Sequence, residues 1–197
     1  MDHPSRVMRT FSSVPPDPLW NGDFDILDPR PEQIHLADIA HGLAGKFRFA
    51  GQSPIRKTVA RHSLEVADRC MAPIAKVWAM FHDAAEAYMG DVPRPHKRSL
   101  WFFGDGISRG TSFAGVEQNL LAKIAERFHL PWWLHADIAA EVHAADDWAL
   151  ERDQRTLWAR WRPATKDGNP RHDEGIWLHR AEVAVEQMAK IAKAENG

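Results

Sequence analysis

Apolar positions along most of the chain recur at helical rather than strand spacing. Ile34, Ile39 and Leu43 follow the helical period from Pro31 onward, and Gly45 supplies a stop, so a first helix is predicted from about Pro31 to Gly45. A second is predicted from Thr58 to Cys70, where Val59, Leu64, Val66 and Ala67 sit among charged neighbours. A third starts at Pro73, runs through Ile74, Val77, Trp78 and Phe81 to Tyr88, and stops at Gly90. Asp91 to Thr111 is irregular and includes the exposed-looking run Leu100-Trp101-Phe102-Phe103. Beyond it come a fourth helix over Phe113 to Phe128, a long fifth from Trp133 to about Trp161, and a sixth from Trp177 to Ala194, with Pro163 to Gly175 a polar loop. No segment alternates as a strand would. The pattern predicts an all-α bundle of about six helices in a single domain, residues 31–197. Six of the 13 prolines fall in residues 1–31, so residues 1–30 read as an extended N-terminal arm that packs on the body or stays partly mobile.

Composition narrows the function classes. With 197 residues, 44% of them hydrophobic and 26% charged, the chain can bury a sizeable core. A formal net charge of −2 lacks the basic excess that a nucleic-acid partner needs. The single cysteine, Cys70, has no partner for an intrachain disulfide. No apolar run approaches the length of a membrane span, and Met1-Asp2-His3-Pro4 lacks the order of a secretory signal, so a cytoplasmic protein with no membrane partner is expected. Leu100 to Phe103 and the tryptophan-rich fifth helix offer apolar patches, which makes a homo-oligomer the expected assembly. Trp132, Trp133, Trp148, Trp158 and Trp161 are expected to pack in the core, while Arg152, Arg155, Arg160 and Arg162 read as a solvated basic face.

Eleven histidines and nine tryptophans are many for this length, and histidine is the commonest metal ligand. His172-Asp173 lies in the polar loop and reads as a solvated turn. His82-Asp83 differs, because it follows the apolar Val77-Trp78-Ala79-Met80-Phe81, where two ionisable groups need partners. Glu86 lies four residues from His82 and three from Asp83 on the same predicted face, and Asp91 follows just beyond Gly90. A divalent metal would hold one imidazole and three carboxylates together, and the donor types suit Mn, Fe, Co, Ni or Zn. His62 on the preceding helix, and Asp146 or Asp147 on the fifth, could complete the set.

His62, His82-Asp83 and Asp146 resemble the H…HD…D signature of the HD-domain metal-dependent phosphohydrolase superfamily. The blocks Thr58–Ala67 and Phe81–Lys97, with the upstream Asp38-Ile-Ala-His-Gly-Leu and Arg48-Phe49, are similar to those of bacterial 5′-deoxynucleotidases and the related phage dATP triphosphohydrolases. The resemblance implies a helical HD fold in which His62, His82, Asp83 and Asp146 bind one divalent metal ion, Mn, Co or Zn first, then Mg or Fe. Asp146 is chosen over Asp147 because the family's pattern of Asp, Leu and an acidic residue seven positions on is met by Asp146, Leu150 and Asp153. By the same resemblance Glu86 and Asp91 are the catalytic acidic residues around the attacking water, and Arg48 and Lys97 hold the phosphate. Phe49 falls where relatives often carry a tryptophan that packs against the sugar and favours 2′-deoxyribose. The expected activity removes phosphate from a (deoxy)nucleoside 5′-mono- or triphosphate. The alternatives are a di-iron HD-type oxygenase using His96, His129, His135 or His143, and a non-catalytic nucleotide-binding module.

Overall fold

Pro31, Pro73 and Pro170 each open a helical segment, since a residue without an N–H and with φ fixed near −65° suits the first helical position. The computed structural model describes residues 8–9, 23–53, 56–103, 110–132, 135–158 and 169–195. In chain order the α-helices are α1 Leu36–Ala44, α2 Val59–Arg69, α3 Pro73–Phe81, α4 Glu86–Met89, α5 Arg94–Lys97, α6 Phe113–Phe128, α7 Ala136–Trp158 and α8 Pro170–Glu195. The fold is all-α and forms one domain. Two short antiparallel pairs are added to it, β1 Met8–Arg9 with β2 Asp23–Phe24 and β3 Trp101–Phe102 with β4 Thr111–Ser112. Two-residue strands are too short for alternation to register in a sequence.

The departures from the predicted elements have local causes. The first predicted helix is divided: Pro31–Gln33 makes one 3-10 turn, Ile34 is extended, and α1 starts only at Leu36. The third is interrupted after Phe81, where Ala84 N–H donates to Phe81 O at 2.9 Å and Glu86 N–H to Asp83 O at 2.9 Å. These are i to i+3 bonds, which tighten the turn and bring residues three apart over one another. The sixth helix begins at Pro170, so His172-Asp173 is not in a solvated turn. Asn169 caps this start, accepting from the N–H of His172 through its side chain and from that of Asp173 through its carbonyl. Asp173 is buried and accepts a 2.7 Å bond from the Thr58 hydroxyl. Trp133, Trp161 and residues 159–168 lie outside the described residues, as do 1–7 and 10–22 of the arm. Where the arm is described it joins the core: Phe24 is fully buried and stacks on Tyr88 with ring centroids 4.5 Å apart.

The core lies where α2 meets α3 and α7, with α1 packed against α8 and α4. Ile39, Leu43, Val59, Val66, Phe81, Leu120 and Trp177 fill it. Trp132 packs against this core, but Trp148 does not enter it. It is 39% exposed on α7, with the guanidinium groups of Arg69 and Arg152 at 5.0 and 4.9 Å from its ring. Stacked arginines shield an indole that a core position would otherwise have to bury. Leu100, Trp101 and Phe103 are exposed, as their sequence suggested. No described helix is long and apolar enough to cross a membrane.

Two contacts fix the helices that carry chemistry. A Cβ built on Gly42 of α1 would lie 2.7 Å from Ala87 O and 2.8 Å from Ala87 Cβ, so only glycine lets α1 approach α4 this closely. Lys46 then crosses between them, donating to Ala87 O at 2.7 Å and Gly42 O at 3.2 Å. Beside it, where Val59 N–H donates to Lys46 O at 2.9 Å, Thr58 caps α2 by accepting from Arg61 N–H while donating to Asp173. Gly42→Ala is expected to destabilise the fold by about 1–3 kcal/mol through overpacking. Asp173→Ala is expected to remove about 1.5–3 kcal/mol by stripping a buried, charge-assisted bond. Urea denaturation checks both, and a midpoint equal to that of the unaltered protein would show the contact to be idle.

Candidate metal centre

The tightened turn after α3 hands His82 and Asp83 to the face where α2 and α7 meet. His62 of α2 is fully buried, and its Nε2 lies 3.0 Å from Asp146 Oδ1 and 3.5 Å from Asp83 Oδ2. His82 Nε2 lies 3.2 Å from Asp83 Oδ2 and 3.9 Å from Asp146 Oδ1. Donor atoms that each bind one ion at about 2.0–2.2 Å stand roughly 3–4 Å apart, and the His–Asp distances fall in that range. The donor atoms of His62, His82 and Asp83 all lie within 4.8 Å of one another, whereas Asp146 approaches the two imidazoles without belonging to that group. Asp146, not Asp147, faces the imidazoles; Asp147 is exposed.

The hydrogen bonding of the two histidines also fits a cation. His82 Nδ1–H donates to the Ala79 carbonyl at 2.7 Å, which orients the ring and leaves Nε2 facing the carboxylates. The buried His82 Nε2 and both ring nitrogens of His62 make no hydrogen bond. Buried polar atoms without partners are rare and signal a missing ligand or a special role. Two imidazole nitrogens and two carboxylates suit a borderline divalent ion.

Electrostatics of the cluster follow from burial and from its own charges. Burial lowers the His62 pKa. Burial alone would lower that of His82 too, but Asp83 and then Asp146 push it up to about 9. Against the effect of burial, the imidazoles hold the carboxyls of Asp83 and Asp146 below the usual range, His82 acting most on Asp83 and His62 on Asp146. Glu86 goes the other way: burial and then the Asp83 charge raise it well above an ordinary carboxyl. Its buried Oε2 has no hydrogen-bond partner, while Oε1 faces Lys97 Nζ at 3.2 Å.

The remaining predicted residues surround the same opening. Asp83, Glu86 and Asp146 share one cavity of about 240 Å³ with the cations Arg48, Arg94 and Lys97. Phe49 and Asp91 line it as well. Phe49 and Ala50 both adopt positive φ, 59° and 53°, a strained arrangement for residues with a Cβ. Asp91 Oδ2 holds this turn by accepting the Ala50 N–H at 3.1 Å. Asp91 therefore supports the cavity wall at Phe49, a contact that the sequence did not suggest.

Each cavity cation bridges an inner and an outer carboxylate. Lys97 stands between Glu86 and Glu117 (3.2 and 2.6 Å), Arg94 between Asp146 and Asp147 (3.1 and 3.8 Å), and Arg48 between Asp83 and Asp153 (3.7 and 3.8 Å). Arg94 and Glu117 were not singled out in the sequence. Arg94 sits inside the Phe81–Lys97 block that carries the resemblance; Glu117 is on α6, far along the chain, with no local signal. Arg152 is likewise no solvated charge, since it pairs with Glu65 and with Asp153. Arg155 is exposed and pairs only with Glu151 of its own helix, and Arg160 and Arg162 lie outside the described residues. His96, His129, His135 and His143 are all exposed, and none belongs to the candidate metal group found among the described residues.

No protein-family model matches the chain. Over 130 residues it is 36% identical to an uncharacterized protein of Rhodobacter capsulatus, a match covering 62% of each chain. Over 100 residues it is 32% identical to the uncharacterized protein YfdR of Escherichia coli, covering 51% of this chain and 50% of the relative. The chain thus spans between 50% and 62% of the length of these curated relatives.

A cation bound through His82 Nε2 must expel the proton that this imidazole keeps up to a pKa of about 9. Affinity for Mn²⁺ or Co²⁺ is therefore expected to rise about tenfold per pH unit from about pH 6 and to level off near the His82 value of about 9. Calorimetry at pH 7 in two buffers of different ionisation enthalpy should record release of about one proton. Binding without proton release would remove His82 from the ligand set.

Proposed function

We propose that the chain is a metal-dependent phosphohydrolase that removes phosphate from a (deoxy)nucleoside 5′-mono- or triphosphate. The observation that carries this reading is a single cavity shared by Asp83 and Asp146, which face the imidazoles of His62 and His82, by a carboxyl of raised pKa, Glu86, and by the cations Arg48, Arg94 and Lys97. The resemblance of His62, His82-Asp83 and Asp146 to the HD signature supports it, and the relatives, both uncharacterized, neither add to it nor oppose it. A cytoplasmic setting, where nucleotides are abundant, belongs to the same reading.

His62, His82, Asp83 and Asp146 would hold the ion. One divalent ion, Mn, Co or Zn first and Mg or Fe next, supplies Lewis acidity and lowers the pKa of a bound water. Arg48 and Lys97 neutralise phosphate oxygens as charge builds on them, and both cations are preset by the carboxylates that flank them. Glu86 takes the proton of the attacking water, because burial beside Asp83 makes its carboxylate a stronger base than an ordinary one. Once protonated, it can return that proton to the departing oxygen as the P–O bond breaks. Phe49, fixed by Asp91, walls the side of the cavity where a sugar would lie.

The test is a product assay. Metal is stripped and Mn²⁺, Co²⁺, Zn²⁺ or Mg²⁺ returned singly, with panels of dNMPs, dNTPs and their ribose counterparts, and with Asp83→Ala as the blank. Nucleoside released from monophosphates identifies a 5′-nucleotidase; nucleoside with tripolyphosphate from a dNTP identifies a triphosphohydrolase. Glu86→Gln is expected to lower the rate about 10²–10⁴-fold while metal content stays the same. If no metal gives turnover above the Asp83→Ala blank, the reading fails, and two irons per chain would redirect it to an oxygenase.

A further inference from the structure

Two buried polar atoms beside the cavity face each other without a hydrogen bond. Arg48 Nε and Asp153 Oδ2 are both buried and unpartnered, 3.8 Å apart. Their side chains are 12% and 10% exposed, so water does not freely solvate either one. The other oxygen of Asp153 is fully engaged: Oδ1 takes Lys57 Nζ at 2.5 Å and Arg152 NH2 at 3.1 Å. Lys57 and Arg152 are themselves tied to Glu65 of α2, so the Asp153 carboxylate is clamped from behind. Asp153 lies seven residues, about two turns, beyond Asp146, so one face of α7 offers Asp146 to the imidazoles and Asp153 to Arg48.

We propose that Asp153 is the positioning residue for Arg48: it receives the Arg48 Nε–H when phosphate binds, leaving the two terminal nitrogens of the guanidinium free to grip phosphate oxygens. The proposal rests on the reading of Arg48 as a phosphate-holding group. Closing the gap to an N–H···O bond of about 2.9 Å takes a movement of about 0.9 Å, within the reach of a guanidinium on a flexible stem. The anchor toward Asp83 is less durable. Arg48 NH1 leans on Asp83 Oδ2, the oxygen that also faces His62 and His82, and a cation held there competes for it. Asp153 is the partner that no ligand of the cavity contests. Fixing Nε in this way gives a planar, bidentate phosphate grip, which a lysine at position 48 could not reproduce.

The experiment measures binding of inorganic phosphate to the Mn²⁺-loaded full chain by calorimetry, alongside KM and kcat on whichever nucleotide the product assay identifies. Asp153→Asn, which keeps the shape and removes the charge, is expected to weaken phosphate binding and raise KM about tenfold, with kcat within about threefold. The Arg48→Ala/Asp153→Asn double variant should bind no more weakly than Arg48→Ala alone, because the two residues act as one unit. Asp153→Glu should recover part of the loss. In the unaltered protein loaded with diamagnetic Zn²⁺ in place of Mn²⁺, the Arg48 Nε–H proton resonance should move downfield and exchange more slowly when phosphate is added, a readout that needs no variant to fold. If phosphate binding is unchanged in Asp153→Asn while Arg48→Ala weakens it, if the losses multiply in the double variant, or if the Nε–H signal does not respond, the inference is wrong. If Arg48→Ala itself leaves phosphate binding intact, the phosphate-holding reading of Arg48 falls with it.

Discussion

Two imidazoles, one of them fully buried, each within 4 Å of two partly buried carboxylates are the constraint around which the rest of the molecule is arranged. Charged groups withdrawn from water are tolerated only when their partners are held in place. Here the four side chains come from α2, from the turn after α3 and from α7, so three elements must keep fixed relative positions. The Gly42–Ala87 approach sets α4 against α1, and the Thr58–Asp173 bond ties the start of α2 to α8. Neither contact touches the cavity, yet the first fixes α4, which carries Glu86 into it, and the second fixes α2, which carries His62 to the carboxylates beside it.

Around this centre the charges form a repeated arrangement. Every cation that lines the cavity has a carboxylate on its inner side and another on its outer side. The outer members, Glu117, Asp147 and Asp153, offset the cost of bringing positive charge to a partly dry opening and hold it ready before any ligand arrives. On the proposed reading, such groups need little rearrangement when negative charge develops on a substrate, and this is where fixed dipoles and charges are most effective. The strained turn at Phe49 and Ala50 belongs to the same economy of fixed parts, since Asp91 and the backbone bonds of Gly51 and Gln52 hold it.

The sequence made the helices of the core and the chemistry-bearing pairs legible for one reason: both are written locally. Phe113–Phe128 is bounded by a serine that caps its first turn and by apolar spacing, and the helix has those limits. His82-Asp83 stood out because ionisable residues followed an apolar run. Contacts made across the fold left no such trace. Asp173 looks like a loop residue until Thr58, 115 positions earlier, comes to meet it, although Asn169-Pro170 did carry a helix-start signal. Trp148 has the spacing of a core residue and becomes a surface one because Arg69 and Arg152 flank it. The break after Phe81 was hidden as well, because a shift from i+4 to i+3 bonding changes backbone geometry without changing the residue pattern.

The bond between Thr58 and Asp173 also bears on the order in which the molecule is made. A chain emerging from its N-terminal end presents His62, His82 and Asp83 well before Asp146 and the start of α8 have left the ribosome. During that interval three of the four clustered side chains are made without the fourth, Asp146, which comes from α7. Thr58 caps α2 locally through the Arg61 N–H, but its hydroxyl gains its buried acceptor, Asp173, only when α8 docks, and contacts of such long sequence separation form slowly. The helix that carries His62 is therefore synthesised early yet fastened at its start by α8, so the cluster is complete in composition before that fastening is in place.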